Sequence, residues 1–204
     1  MLQDAIDNLY RIAVVEQKTT STKRLGSLAE YCAQQLSARG LLGAELEVTI
    51  DGGGRPKDWD VAWKWAGKYR LVLSLKSILR NLSGTVPNRI DDLMGETANI
   101  QLYSPEVVTG YIVVFDVSAM GDSSRDSGDR WLATLSERLQ RLSGRRAPYW
   151  TPGTFESHAI VTVDFQRGPT VLDGSRQVEA MFDQLVRETH VRNPGIREQG
   201  GGKQ

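Results

Sequence analysis

Between Asp58 and Lys76 apolar and polar positions alternate in two runs. Trp59, Val61, Trp63 and Trp65 alternate with Asp58, Asp60, Ala62 and Lys64, and beyond Ala66-Gly67 the positions Tyr69, Leu71, Leu73 and Leu75 alternate with Arg70, Val72, Ser74 and Lys76. A period of two on both sides of a glycine predicts a β-hairpin. Its register follows because cross-strand partners share a face. A two-residue Ala-Gly loop sets Trp65 opposite Lys68 and Asp60 opposite Leu73, mixing apolar with polar along the ladder. A three-residue loop of Ala66, Gly67 and Lys68 instead pairs Trp65 with Tyr69, Trp63 with Leu71, Val61 with Leu73 and Trp59 with Leu75, and is the expected one. The other face then sets Asp60 opposite Ser74 and Asp58 opposite Lys76.

The rest of the chain alternates between the two periodicities. Leu2, Ile6, Leu9, Tyr10 and Ala13 predict a first helix, and Leu25, Leu28, Ala29, Cys32 and Leu36 a second that ends near Gly40. Leu46, Val48 and Ile50 alternate with Glu45, Glu47 and Thr49 as a strand, and Asp51-Gly52-Gly53-Gly54 reads as a mobile turn. Residues 77–89 read as a polar loop, followed by a short helix from about Pro87 through Ile90, Leu93, Met94 and Ala98. The apolar run 111–117 predicts a strand buried on both faces, the stretch Gly121 to Gly128 a polar loop, and 129–142 a helix. A strand over 158–165 and a helix over 175–189 complete a single domain, residues 1–193, and residues 194–204 are expected to be a disordered tail.

Composition narrows the classes. The 25 Lys and Arg balance the 25 Asp and Glu, so no global field announces a polyanionic partner and any such contact must come from local clustering. The lone Cys32 excludes an intramolecular disulfide framework and is expected to be a buried, inert thiol. Absence of a long apolar run or a secretory pattern predicts a cytoplasmic protein without membrane contact. The triglycine lacks the lysine and helix start of a phosphate loop, and His158 and His190 have no serine or cysteine context of triad type. Glu30 lies off the second helix's apolar stripe and reads as solvated. Gly144-Arg145-Arg146 with Tyr149, Trp150 and Phe155 has the makings of a nucleic-acid contact, but aromatics packing beneath a loop are the favoured reading.

Chemistry concentrates at the far end of the hairpin. Carboxylates at Asp58 and Asp60 beside the Lys76 ammonium suit a hard divalent cation and phosphodiester hydrolysis, although a single cross-strand Asp/Lys pair is more often a surface ion pair. Arg80, Asn88 and Arg89 in the following segment suit phosphate oxygens and base edges. A helix, three meandering strands, a helix and a further strand, with Asp60 on the second strand and Ser74-Leu75-Lys76 on the third, resembles the PD-(D/E)XK nuclease superfamily over residues 22–165. Ser74 stands where that family has Asp or Glu. The resemblance implies an α/β restriction-endonuclease-like core with a central mixed sheet of about five strands flanked by helices. It also implies Mg²⁺ or Mn²⁺ held by Asp60, the Leu75 carbonyl and an acid from the next helix, Glu96 being preferred narrowly over Asp92 or Asp91. Lys76 then activates water and Asp58 pairs with Lys76 or serves as an outer acid. The implied activity is cleavage of double-stranded DNA, in the narrower case by a homodimeric type II restriction endonuclease, with a catalytically degenerate DNA-binding or assembly protein as the alternative.

Overall fold

The computed structural model describes residues 1–18, 22–119, 128–148 and 150–196. The polar loop expected over 121–128, all but Gly128, and Tyr149 lie outside them. Chain order is α1 (Leu2–Tyr10, continued by a wider turn over Arg11–Val15), a short 3₁₀ turn (Thr22–Leu25), α2 (Gly26–Ala38), β1 (Glu45–Ile50), β2 (Lys57–Trp65), β3 (Lys68–Ile78) and α3 (Leu82–Tyr103). There follow β4 (Val108–Asp116), α4 (Gly128–Leu142), β5 (Ser157–Asp164), β6 (Gly168–Asp173) and α5 (Ser175–Arg192). The six strands form one mixed sheet in sequence order. Strands β1, β2 and β3 are antiparallel neighbours, β3, β4 and β5 run parallel, and β6 returns antiparallel.

Parallel neighbours require crossovers, and α3 and α4 supply them on one face of the sheet. Leu93 and Ile100 of α3 and Leu135 and Leu139 of α4 bury against Val72, Tyr111, Val113 and Phe115 there. The opposite face carries a second core, in which Ile6 and Leu9 of α1, Leu28 and Leu36 of α2 and Phe182 and Leu185 of α5 meet Val61, Leu73 and Ile112. With helices on both faces, all nine residues of β4 are buried, as its nearly continuous apolar run requires. No helix among the described residues is long and apolar enough to cross a membrane.

Several expectations are corrected. The hairpin turn is a two-residue Ala66-Gly67 loop, both with positive φ, pairing Trp65 with Lys68. A bulge between Trp63 and Lys64 then restores the expected pairs Trp63–Leu71 and Val61–Leu73. The helix α3 begins at Leu82, five residues before Pro87, because Asn81 caps it by accepting from the Gly84 N–H at 3.3 Å. Strand β6 was not foreseen, and Gln3 of α1 ties its edge down by donating to the Pro169 carbonyl at 2.8 Å and accepting from the Val171 N–H at 3.1 Å. The glycine turn 51–54 is clamped to α3: Asn99 donates to the Arg55 carbonyl at 2.8 Å, and its side-chain oxygen accepts from the Gly54 N–H at 2.8 Å.

At the other end of the chain, the first residues of the expected tail belong to the packed domain. Ile196 packs against the core that contains Trp63, while residues 197–204 lie outside the described residues.

Candidate active site

The β2–β3 ladder is matched from the turn as far as Val61–Leu73, and there the strands fork. Glu47 on β1 has a positive φ of 52°, and the regular pairing of β1 with β2 skips from Leu46–Val61 to Val48–Trp59. Across that irregularity the faces exchange. Val61 belongs to the core under α2, whereas Trp59, only two residues earlier, belongs to the core under α3. Between them Asp60 turns toward β3, and its Oδ2 accepts the Leu75 N–H at 2.7 Å. In an extended strand the N–H and C=O of one residue point to the same side, so the Leu75 carbonyl faces the fork as well.

Glu96 rises into the fork from α3. Its Oε2 accepts from the Ser74 hydroxyl at 3.3 Å, and its Oε1 accepts from Lys76 Nζ at 3.0 Å and lies 2.8 Å from Lys57 Nζ. The side chains are well covered, Glu96 being 10% and Lys76 15% exposed. Ser74 stands within hydrogen-bonding reach of both carboxylates, Glu96 at 3.3 Å and Asp60, whose pKa it helps to lower. Of the three acids considered on α3, Glu96 is therefore the one that reaches Ser74 and Lys76. Asp91 and Asp92 are exposed, and Asp92 accepts from Arg89 at 2.6 Å.

The two half-buried acids are shifted in opposite directions. Burial raises the Asp60 pKa, and the Leu75 N–H and the Lys76 charge offset this only in part. Burial would raise Glu96 too, but Lys76 and Lys57 outweigh it and hold that carboxyl below the usual range.

The fork opens into a cleft of about 480 Å³ lined by Asp58, Asp60, Lys76, Arg24 and Arg89 among others. Asp58 is exposed and accepts from the Thr49 hydroxyl at 2.5 Å, while Lys76 takes Glu96 as its partner. Arg80 and Asn88 are exposed on the turn before α3 and on its second turn, and Arg89 is half-buried. Among the described residues no group of three or more His, Cys, Asp or Glu could hold a metal ion. The fork offers two carboxylates and one backbone carbonyl.

Lys57 and Arg24 escaped the sequence reading. The alternation of β2 puts Lys57 and Asp60 on opposite faces, and only the exchange at the fork brings Lys57 to Glu96. Arg24 comes from the 3₁₀ turn before α2 and donates through Nε to the Ser77 hydroxyl at 3.2 Å.

Other candidates resolve into structure. Arg145 is buried, paired with Glu156 at 2.8 Å, and it and Arg192 stack on Trp150, while Phe155 is wholly buried beside Tyr111. The loop-packing reading therefore holds for Phe155, and Arg145 is not free to meet a backbone phosphate. The Cys32 thiol is buried and its pKa is pushed up by burial, and His158, edge-on to Phe155, is pushed down to about 4.

Comparison with protein-family models, with curated proteins and with solved structures finds no match for this chain.

Proposed function

We propose that this protein is a Mg²⁺-dependent endodeoxyribonuclease acting on double-stranded DNA. The observation that carries the reading is the convergence of Asp60, Glu96 and Lys76 at the β2–β3 fork, with Glu96 reaching the Ser74 hydroxyl where the PD-(D/E)XK pattern would place a second acid. A helix, three antiparallel strands, a helix and a parallel strand stand in the order that the resemblance calls for, which supports a restriction-endonuclease-like core.

The donor set suits the cation. Mg²⁺ takes oxygen ligands and is commonly held by one or two carboxylates together with substrate phosphate and waters. Asp60, Glu96 and the Leu75 carbonyl are such donors, and Mn²⁺ accepts the same set. When bound, the cation supplies Lewis-acid polarisation of the scissile phosphate and a more acidic water.

The chain's own groups do the remaining work. Lys76 gives one N–H to Glu96, and its other N–H groups orient the attacking water and stabilise charge developing on the phosphate. The Leu75 N–H fixes one oxygen of Asp60 and so sets the direction of the other. Arg89 borders the cleft and, with Asn88, lines the neighbouring hollow along α3 where the flanking backbone would pass, and Arg80 is exposed just before that helix. Cutting both strands of a duplex calls for two sites, so a restriction-type enzyme would act as a homodimer. A monomeric elution profile on and off DNA argues against that narrower form.

A second reading rests on Ser74 and on the two lysines sharing one oxygen of Glu96, which together balance its charge without a cation. In that reading the protein keeps DNA binding or assembly and has lost cleavage. Incubating mixed DNA substrates with purified protein and Mg²⁺ separates the two. Cleavage lost in both Asp60→Asn and Lys76→Ala supports the nuclease, and cleavage retained by both refutes the site assignment. Calorimetric titration showing no Mg²⁺ or Mn²⁺ uptake, with or without DNA, supports the degenerate form.

A further inference from the structure

Two ammonium groups meet on one oxygen of Glu96. Lys57 Nζ lies 2.8 Å and Lys76 Nζ 3.0 Å from Oε1, while Oε2 accepts from the Ser74 hydroxyl. A carboxylate oxygen offers about two lone-pair directions, so Oε1 has none left for a further cation while both lysines stay. The local charges also balance already, since Asp60 and Glu96 stand against Lys57 and Lys76, and a divalent cation added to that set would face two ammonium groups at close range. For Glu96 to serve as a metal ligand through Oε1, one lysine must leave it.

The two lysines differ in how readily they can do so. Lys76 borders the cleft at the fork, where the chemistry is assigned, and its side chain is 15% exposed. Lys57 does not line that cleft. It lies at the first residue of β2 with its side chain 27% exposed, and it borders a neighbouring hollow of about 350 Å³ lined also by Arg55, Asp91 and Asn99. An ammonium already part-hydrated and next to open space regains water at less cost than one held more deeply. Lys57 is therefore the one placed to withdraw.

We propose that Lys57 is a positioning residue that holds the cation's place on Glu96 in the metal-free protein and withdraws into the hollow when Mg²⁺ or Mn²⁺ arrives, so that it sets how tightly the free protein takes up the cation. The proposal rests on the metal-dependent reading of the fork. Lys57 acts through Glu96 and neither transfers a proton nor touches the scissile phosphate in this role.

Calorimetric titration of Mn²⁺ into the DNA-free full chain at neutral pH tests it, with Lys57→Met, Lys57→Arg and Arg55→Met beside the wild type. Lys57→Met keeps the aliphatic stem and leaves Lys76 to balance Glu96. It should tighten Mn²⁺ uptake by at least about fivefold, the low end of the coupling between two ligands of one protein. Lys57→Arg keeps the charge on Glu96 and should bind no more tightly than the wild type. Arg55→Met removes an equal charge from the same hollow, at a residue that makes no ion pair with Glu96, and should leave uptake near the wild-type value. Lys57→Gln serves if the methionine variant does not fold. Wild-type affinity in a folded, uncharged Lys57 variant, or equal tightening in Arg55→Met, overturns the proposal while leaving the nuclease reading intact. Uptake by neither the wild type nor Lys57→Met also overturns it, and the nuclease reading then rests on the cleavage assay alone. Tightening in Lys57→Met with no cleavage by the wild type removes the nuclease reading and keeps Lys57 in this role.

Discussion

Asp60 is held in a state that costs stability. Its carboxyl is half-buried at the cleft, with a pKa raised above the ordinary aspartate value by desolvation, so above that pKa the folded chain must keep a charge that the unfolded chain carries more easily. The sign follows: a raised carboxyl favours folding at low pH, and that contribution is lost as pH rises through the folded value. Asp60→Asn keeps an acceptor for the Leu75 N–H and removes the charge. It should raise the urea midpoint at pH 8, the gain shrinking toward zero by about pH 3, below the ordinary aspartate value, as read by denaturant titrations at both pH values. Glu96 behaves oppositely, since its lowered carboxyl contributes stability at neutral pH that is lost as pH falls through the folded value. Glu96→Gln should therefore destabilise the protein at pH 7, and should cut cleavage by at least about a hundredfold if that carboxylate is a ligand, measured as initial rates at saturating Mg²⁺. Asp60 and Lys76 were legible because alternation along a hairpin fixes which polar residues share an end. Glu96 was legible only as one of three, because the sequence does not give the rotation of α3. Lys57 and Arg24 were not legible, since Lys57 reaches Glu96 through a backbone irregularity and Arg24 reaches the cleft from a short turn, neither of which leaves a periodic trace.

At the scale of elements the decisive feature is the fork between β2 and β3. The apolar face of the hairpin could be read from Val61, Trp63, Leu71, Leu73 and Leu75, which do share one core. The exchange of faces at Asp60 could not, because it arises where Glu47 adopts a positive φ, a conformation no pattern around Glu47 demands. Strand β6 escaped for a related reason, being short, with no buried residue and without alternation. The β1–β2 connection matters to the fork because it delivers Lys57 to Glu96. Asn99 holds that connection, and the Gly53 N–H also bonds to its backbone carbonyl at 2.7 Å. A Cβ at Gly52 would lie 2.0 Å from Asn99 Nδ2 and 2.7 Å from the Arg55 carbonyl, so the absence of a side chain there is a packing requirement. Asn99→Ala should cost about 1–2 kcal/mol, the loss of a few partly exposed hydrogen bonds. Amide exchange should quicken across residues 53–57, and cleavage should weaken without disappearing. Gly52→Ala should reproduce the same exchange pattern, because its methyl group expels the Asn99 side chain. Unchanged protection in both variants would mean that the clamp does not order the connection.

At the scale of the molecule the sheet separates scaffold from site. The N-terminal ends of β4 and β5 carry a buried ionic cluster in which Glu156 lies 2.8 Å from Arg145 and 2.6 Å from Arg192, with the three side chains 0%, 1% and 3% exposed respectively. The second oxygen of Glu156 accepts the Thr109 N–H at 2.6 Å and the Thr109 hydroxyl at 2.8 Å. The arginines also donate to carbonyls: Val107 accepts from both, and Pro105 accepts from Arg145 at 2.6 Å, while Arg192 also lies 3.5 Å from the Glu188 carboxylate. One carboxylate thereby joins β4, β5, the segment after α4 and the end of α5. Such a cluster is no sure gain over well-packed apolar residues, but removing one member strands the others in a low-dielectric interior. Glu156→Ala leaves two buried cations without their shared anion and should cost about 3–5 kcal/mol. Arg192→Met should cost less, since Arg145 still neutralises Glu156. Both effects should appear as a lower urea midpoint with an unchanged slope, the mark of altered stability without altered compactness. The fork lies farther along the parallel strands, where Ser74 to Lys76 pair with Tyr111 to Val113, and shares no side chain with this cluster. Mg²⁺-dependent cleavage per folded molecule should therefore remain at the wild-type level in Arg192→Met. A loss of rate that exceeds the unfolded fraction would show that the sheet transmits strain from this end to the acids.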